Sequence, residues 1–273
     1  MGPIQFIIGA IIVLVALLFG GLWAFQTYAI YRFGTGSDTP EELGLAEVRI
    51  VNTSADDGTP LRAWVADPMP GKPVIISFYG NYASIGPSMR RLSPLIEKGY
   101  GVAVLEYRSS GTAPGVPGEE NFISDARVLY DELDTIMNTT IPTQQRIIHG
   151  YSLGSSIAVG LAASRDSAAL ILEATFDRLC RFQKKRLRGF PMCTLMWKER
   201  HDVVDRISDI AVPVLIGHGK LDKAIPLGWA EALFEQTPEP KTFKIYEDGT
   251  HTNLFEKGMI DDIVSFIEAL NPN

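Results

Sequence analysis

No lysine or arginine occurs before Arg32, and the 273-residue chain holds only two cysteines and four histidines. Each scarcity excludes something. Cys180 and Cys193 are not spaced as C-x-x-C, which excludes the common zinc-finger and thioredoxin-like motifs. Net charge is −7, with no basic tail or stripe dominating the whole chain, so no nucleic-acid partner is expected. No internal repeat is visible, which removes solenoids and propellers. A chain of this length can bury one sizeable core.

What the first residues have instead is a long apolar run. Ile4 to Phe25 is apolar apart from Gln5 and its glycines. Twenty-two helical residues span about 33 Å, enough for a hydrocarbon core of about 30 Å. Trp23, Tyr28 and Tyr31 follow with Arg32, in the manner of an interfacial belt. A cleaved signal peptide needs a basic n-region, a shorter apolar core and a small-residue cleavage site, and none is clear here. Residues 1–32 therefore read as a retained transmembrane anchor and residues 33–46 as a tether. Arg32, the one charge close to the span, points to a cytoplasmic C-terminal domain under the positive-inside rule.

From residue 47 apolar runs alternate with helical stretches. EVRIVNT (47–53) and LRAWVAD (61–67) flank the turn ADDGTP and read as an antiparallel hairpin. PVIISFYG (73–80), GVAVLEYR (101–108), QRIIHG (145–150), AALILEA (168–174), VPVLIGHG (212–219) and KTFKIYE (241–247) read as further strands. Helices are expected over SMRRLSPLIEKGY, where Pro94 kinks or starts the helix, over NFISDARVLYDELDTI, after SLG, over Leu227–Glu235 and in MIDDIVSFIEAL. This alternation means a mostly parallel eight-stranded sheet with helices on both faces. Ligands in such sheets sit beyond the carboxyl ends of the strands, so chemistry-bearing residues belong in loops just after strands.

Gly150-Tyr151-Ser152-Leu153-Gly154 is a G-x-S-x-G pattern between a strand and a helix. A sharp turn there exposes the Ser152 hydroxyl as a nucleophile and leaves the Leu153 amide free at a helix N-terminus, half of an oxyanion hole. The hydroxyl needs a base. His149 ends a strand and is expected to be buried, His201 lies in a charged irregular segment, and His218 ends a strand. His251 follows the last strand in a glycine-bearing loop and is the expected base. Asp222, after the penultimate strand, is the expected orienting acid. Glu173 is the main alternative, and Asp248 is near His251 only along the chain. The second oxyanion donor is expected from FYGNYASIGPSM, with the amide of Asn81 first and that of Tyr82 second.

With YGN (79–81), EYR (106–108), GYSLG (150–154), HGKLD followed by AIP (218–226) and GTH (249–251), the chain resembles α/β-hydrolase-fold serine hydrolases over about residues 47–270. It is most similar to the membrane-anchored, serine-aminopeptidase-like and depalmitoylase-like group. The group usually has histidine before the Gly-Asn of the oxyanion loop, where Tyr79 stands here. It often carries a YRGYG-like turn, where this chain has YRSSGTAPG.

The hydrolase domain, 47–273, carries an insertion at 175–202 where lids sit in this fold. Eight lysines or arginines fall between Arg178 and Arg200, interleaved with Phe182, Leu187, Phe190, Leu195, Met196 and Trp197. The segment reads either as a solvated basic helix or as a lid resting on anionic lipid headgroups. The expected function is hydrolysis of acyl esters or thioesters at a membrane, with no metal or organic cofactor. A peptidase of the aminopeptidase type and a non-catalytic scaffold are the alternatives. The basic lid argues against capture of a free amino terminus.

Overall fold

The computed structural model describes residues 2–36, 38–182 and 191–270. Lys184, Lys185, Arg186, Leu187 and Phe190 of the basic insertion fall outside them, as does the side chain of Tyr28. The strands are β1 Val48–Ser54, β2 Pro60–Ala66, β3 Val74–Phe78, β4 Gly101–Leu105, β5 Arg146–Tyr151, β6 Ala169–Glu173, β7 Val214–Gly219 and β8 Lys241–Tyr246. The helices are α1 Pro3–Ile30, α2 Ile85–Arg91, α3 Ser93–Glu97, α4 Glu119–Asp131, α5 Leu133–Ile136, α6 Gly154–Ala162, α7 Met192–Leu195, α8 Val203–Ile207, α9 Leu227–Gln236 and α10 Met259–Leu270.

All eight strands join one sheet in the order β1-β2-β4-β3-β5-β6-β7-β8. The hairpin pairs Val48 with Ala66 through Ser54 with Pro60, and β2 runs antiparallel to β4. Every later pairing is parallel. The middle strands are buried along their whole length, the signature of a parallel sheet covered on both faces. Strand order reverses at β3, whose neighbours are β4 and β5. The crevice beyond the ends of β3 and β5 is thus the topological switch point, where such sheets bind ligands.

The helix expected over 88–100 is two. Leu92 separates α2 from α3, with Pro94 in the first turn of the second. Proline fits a first turn because its missing N–H would be unpaired there anyway. Likewise α4 ends at Asp131, and a short α5 follows.

Three quarters of α1, 21 of its 28 residues, is not buried in the domain. Pro3–Trp23 is a 21-residue apolar stretch with none of it buried, long and apolar enough to cross a membrane, a test a signal sequence also passes. The rest of α1 docks. Ile30 and Tyr31 are buried in the domain core. The segment read as a tether is fastened down as well. Phe33 packs among Tyr31, Tyr79, Tyr107 and Phe122, and Leu45 is buried. An aromatic side chain at position 33 gains more by joining this cluster than the segment gains in freedom as a loose linker.

Candidate active site

Ser152 directly follows β5 in a left-handed backbone conformation, φ 53°. A non-glycine residue there is strained by about 1–3 kcal/mol, so the surroundings must hold it. They do so on two sides. The Ser152 amide donates to the Glu173 carbonyl at 2.9 Å, and its carbonyl accepts from the Ser155 amide at 2.9 Å. Glycine at 154 is a steric necessity, because a Cβ there would lie 2.0 Å from the Phe78 carbonyl oxygen. That close approach is what lets α6 start against the end of β3.

His251 Nε2 stands 3.1 Å from Ser152 Oγ, and its Nδ1 stands 2.7 Å from Asp222 Oδ2. The other carboxylate oxygen of Asp222 accepts from the amides of Ala224 and Ile225, both at 2.8 Å. Asp222 is therefore fixed by its own loop and presents one oxygen to the imidazole. The two loops meet because β7 and the turn after β8 nearly touch at Gly219, where a Cβ would lie 2.4 Å from the Gly249 carbonyl oxygen. The Leu221 amide donates to that same carbonyl at 2.8 Å. Tyr151 adds a brace, its hydroxyl donating to the His251 carbonyl at 3.0 Å.

Glu173, the alternative acid, is engaged elsewhere. Its fully buried carboxylate takes both guanidinium nitrogens of Arg91 and lies 3.5 Å from His149 Nε2. Burial alone would raise its pKa, but Arg91 and His149 outweigh that and hold it below the usual carboxylate range. Asp248 is exposed, away from the imidazole's hydrogen bonds. His149 is buried, as expected, beside Ser77 Oγ at 2.9 Å. His218 lies beneath Asp222, with Nε2 2.9 Å from the Ile225 carbonyl oxygen, and burial lowers its pKa.

The loop after β3 passes directly over the serine, since a Cβ on Gly80 would lie 3.1 Å from Ser152 Cβ. Among the described residues, neither the Leu153 amide nor the Asn81 amide donates to a protein acceptor. Tyr82 follows in a left-handed conformation, φ 64°, with its side chain exposed. Tyr79 does not reach the site. Its ring stacks on Tyr107 at 4.0 Å, and its hydroxyl donates to Ser110 Oγ at 2.9 Å and accepts from the Tyr107 amide at 3.0 Å. The tyrosine in place of the group's usual histidine thus secures the root of the loop.

A cavity of about 620 Å³ opens over Ser152 and His251. Its walls are largely apolar: Phe176, Leu179 and Phe182 from the insertion, Ile225 from the Asp222 loop, and Ala29 and Ile30 from the end of α1. No carboxylate lines it among the described residues. The contribution of α1 has no signal in the sequence, where residues 29 and 30 are simply the tail of an apolar run. Arg91 is likewise unmarked by any motif, and Tyr151 holds only a variable position of G-x-S-x-G. Cys180 and Cys193 are disulfide-bonded to each other, closing the insertion on itself.

No protein-family model matches the chain. An uncharacterized protein of Mycobacterium tuberculosis is 28% identical over 268 residues, 94% of each chain. Alpha/beta hydrolase domain-containing protein 17B of Xenopus laevis is 32% identical over 136 residues, half of this chain and 44% of that one. Among solved structures, a Pyrococcus furiosus esterase superposes with a TM-score of 0.68 at 17% identity, over 89% of this chain and all of the other. An acetyl xylan esterase from Paenibacillus gives 0.63 at 18% identity, over 93% of each chain. The Pyrococcus horikoshii acylaminoacyl peptidase gives 0.65 at 16% identity, over 85% of this chain and 43% of that one. The chain has the α/β-hydrolase fold.

Proposed function

We propose that this α/β-hydrolase-fold chain is a membrane-anchored serine hydrolase of acyl esters or thioesters. The observation that carries the reading is the placement of His251 between Ser152 Oγ, at 3.1 Å, and Asp222 Oδ2, at 2.7 Å. Ser152 Oγ attacks the carbonyl carbon while His251 Nε2 takes its proton. Asp222 keeps the imidazole proton on Nδ1 and stabilises the imidazolium. The amides of Leu153 and Asn81 receive the oxyanion. Collapse expels the alkoxide or thiolate, which takes the proton back from His251. Water, activated by the same histidine, then releases the acid from Ser152. Every proton and electron pair is handled by these side chains, so the steps call for no metal or organic cofactor.

The apolar cavity suits an acyl chain, and its lack of carboxylates among the described residues disfavours capture of a free amino terminus. Bilayer supply is supported by position. Ile30, in the cavity wall, is seven residues past Trp23, where the apolar stretch ends, or about 10 Å along the helix. Trp197 of the insertion packs on Phe19 at 5.9 Å between ring centroids, and Lys198 Nζ sits 4.4 Å from the Trp23 ring centroid. The C-terminal end of the insertion thus packs against the anchor, which supports a lid at a lipid surface.

The Cys180–Cys193 pairing supports a catalytic domain on the oxidising side of the membrane, against the single-charge argument from Arg32. Thiol labelling of the unreduced protein tests this. No labelling before reduction agrees with it, and two freely reactive thiols return the domain to the cytoplasm.

The function itself is tested by turnover. Full-length protein in detergent should hydrolyse p-nitrophenyl acyl esters, with the rate abolished in Ser152→Ala. Preference for an aminoacyl anilide over the esters would favour the peptidase instead.

A further inference from the structure

We propose that the last turn of α1 and the strap that follows it, residues 26–34, are a working part of the active site, with the Asn81 side chain as the positioning residue that couples them to the oxyanion loop. The inference rests on the hydrolase reading. It assigns the membrane helix a role beyond tethering.

The helix C-terminus leaves carbonyls without intrahelical partners. Asn81 answers one of them, its Nδ2 donating to the Ile30 carbonyl at 2.6 Å. Its Oδ1 accepts from the Arg32 amide at 2.8 Å and from the Tyr82 amide at 3.2 Å. One side chain thus grips the strap with both of its polar atoms. Two residues on, the Gly34 amide donates to the Ala83 carbonyl at 2.8 Å. The loop that carries the Asn81 amide over Ser152 is therefore held from outside by the strap. Its left-handed residue, Tyr82, is held by the same asparagine.

The strap is itself locked into the domain. Tyr31 Oη donates to Glu199 Oε2 at 2.5 Å and lies 2.7 Å from His201 Nε2. His201 Nδ1 lies 2.5 Å from Ser156 Oγ, which also bonds the Leu153 carbonyl at 3.0 Å. Thr27 Oγ1 donates to Glu199 Oε1 at 3.2 Å. Glu199 and His201 are completely buried, and Tyr31 nearly so. Ser156 is too deeply buried beside them to be a second nucleophile. This network runs from α1 to both oxyanion donors, reaching Asn81 through the backbone of the strap and Leu153 through Ser156. Preorganised donors of this kind are usually the largest single contribution to catalysis, so their supports matter to the rate.

The test uses full-length protein in detergent and a soluble short-chain ester, which takes membrane delivery out of the comparison. Asn81→Ala keeps the backbone amide and removes only the grip. Its kcat should fall by about 10- to 100-fold, short of the roughly 10²–10³ for outright loss of a donor. KM should stay within about threefold. Asn81→Asp keeps the acceptor but turns a carboxylate oxygen toward the Ile30 carbonyl oxygen, where Nδ2 now donates at 2.6 Å, and should fall at least as far as Asn81→Ala. A kcat for Asn81→Ala within twofold of wild type, or a loss confined to KM, would overturn the inference. Should Asn81→Ala not fold, Tyr31→Phe decides, because it keeps the ring and removes the hydroxyl between Glu199 and His201. A lowered kcat at unchanged KM supports the proposal, and wild-type kinetics contradict it. The hydrolase reading is judged separately, on whether the wild-type protein turns over ester through Ser152.

Discussion

Changing Asp222 to asparagine alters one atom and should cost most of the activity. The carboxylate's Oδ1 accepts two backbone N–H groups, from Ala224 and Ile225, each at 2.8 Å. An amide that turned its NH₂ toward them would leave two donors unpaired, at about 1–3 kcal/mol each. The asparagine oxygen must therefore stay with the backbone, which puts the NH₂ at the 2.7 Å position facing His251 Nδ1. There it can only donate, so Nδ1 must accept and the imidazole proton moves to Nε2. That nitrogen stands 3.1 Å from Ser152 Oγ and, once protonated, cannot take the serine proton. The expected loss in turnover is about 10⁴-fold, or about 5.5 kcal/mol of barrier. Folding should hardly change, since shape and hydrogen-bond count are preserved. Ester hydrolysis and the thermal midpoint, measured on one preparation, give both quantities. Turnover within tenfold of wild type at an unchanged midpoint would refute the argument and free Asp222 from the role.

Gly154→Ala should lower stability by at least about 2 kcal/mol and abolish turnover, because its Cβ would sit 2.0 Å from the Phe78 carbonyl oxygen and a central strand must give way; a wild-type thermal midpoint contradicts the close approach. Arg91→Leu leaves the Glu173 carboxylate buried without its guanidinium and should cost about 3–5 kcal/mol. Adding Glu173→Leu should recover part of it, and no recovery would assign the loss to Arg91 packing on Phe255, 3.8 Å from the ring centroid. Burial lowers the pKa of both His201 and His218, so below about pH 6.5 the unfolded chain binds protons that the native one refuses. Stability should therefore fall on acidification through that value, by up to about 1.4 kcal/mol per pH unit for each histidine; a thermal midpoint that does not move between pH 7.5 and 5.5 would count against two neutral buried imidazoles.

The strands were legible because their apolar runs are short, β-branched and bounded by glycine or proline, and all eight runs read from the sequence form strands of one sheet. Ser152, Asp222 and His251 were legible as candidates because fold logic puts chemistry after strands, and the folded chain brings those three together. The sequence favours Asp222 over Glu173 by its place after the penultimate strand, but the physical exclusion of Glu173 is hidden in it. That exclusion turns on Arg91, 82 residues before Glu173, claiming that carboxylate. The docking of α1 was equally hidden. Tyr31 meets Glu199 across 168 positions, and a tyrosine at the end of an apolar run looks like a membrane-interface residue whether or not a domain folds over it. His201 stood in a stretch read as irregular and charged, yet it is fully buried. The charges around it, Glu119, Glu199 and Arg206, are drawn inward by one another, which composition alone cannot reveal.

The central claim is that Ser152 is an activated nucleophile. Labelling of the full-length, detergent-solubilised protein with a fluorophosphonate probe tests it most directly, with Ser152→Ala as control. Loss of the nucleophile in such a triad lowers turnover by about 10⁶-fold, so the contrast is large. The wild-type protein should label stoichiometrically and the variant not at all. Folded wild-type protein that does not label, or a variant that labels equally, would contradict it.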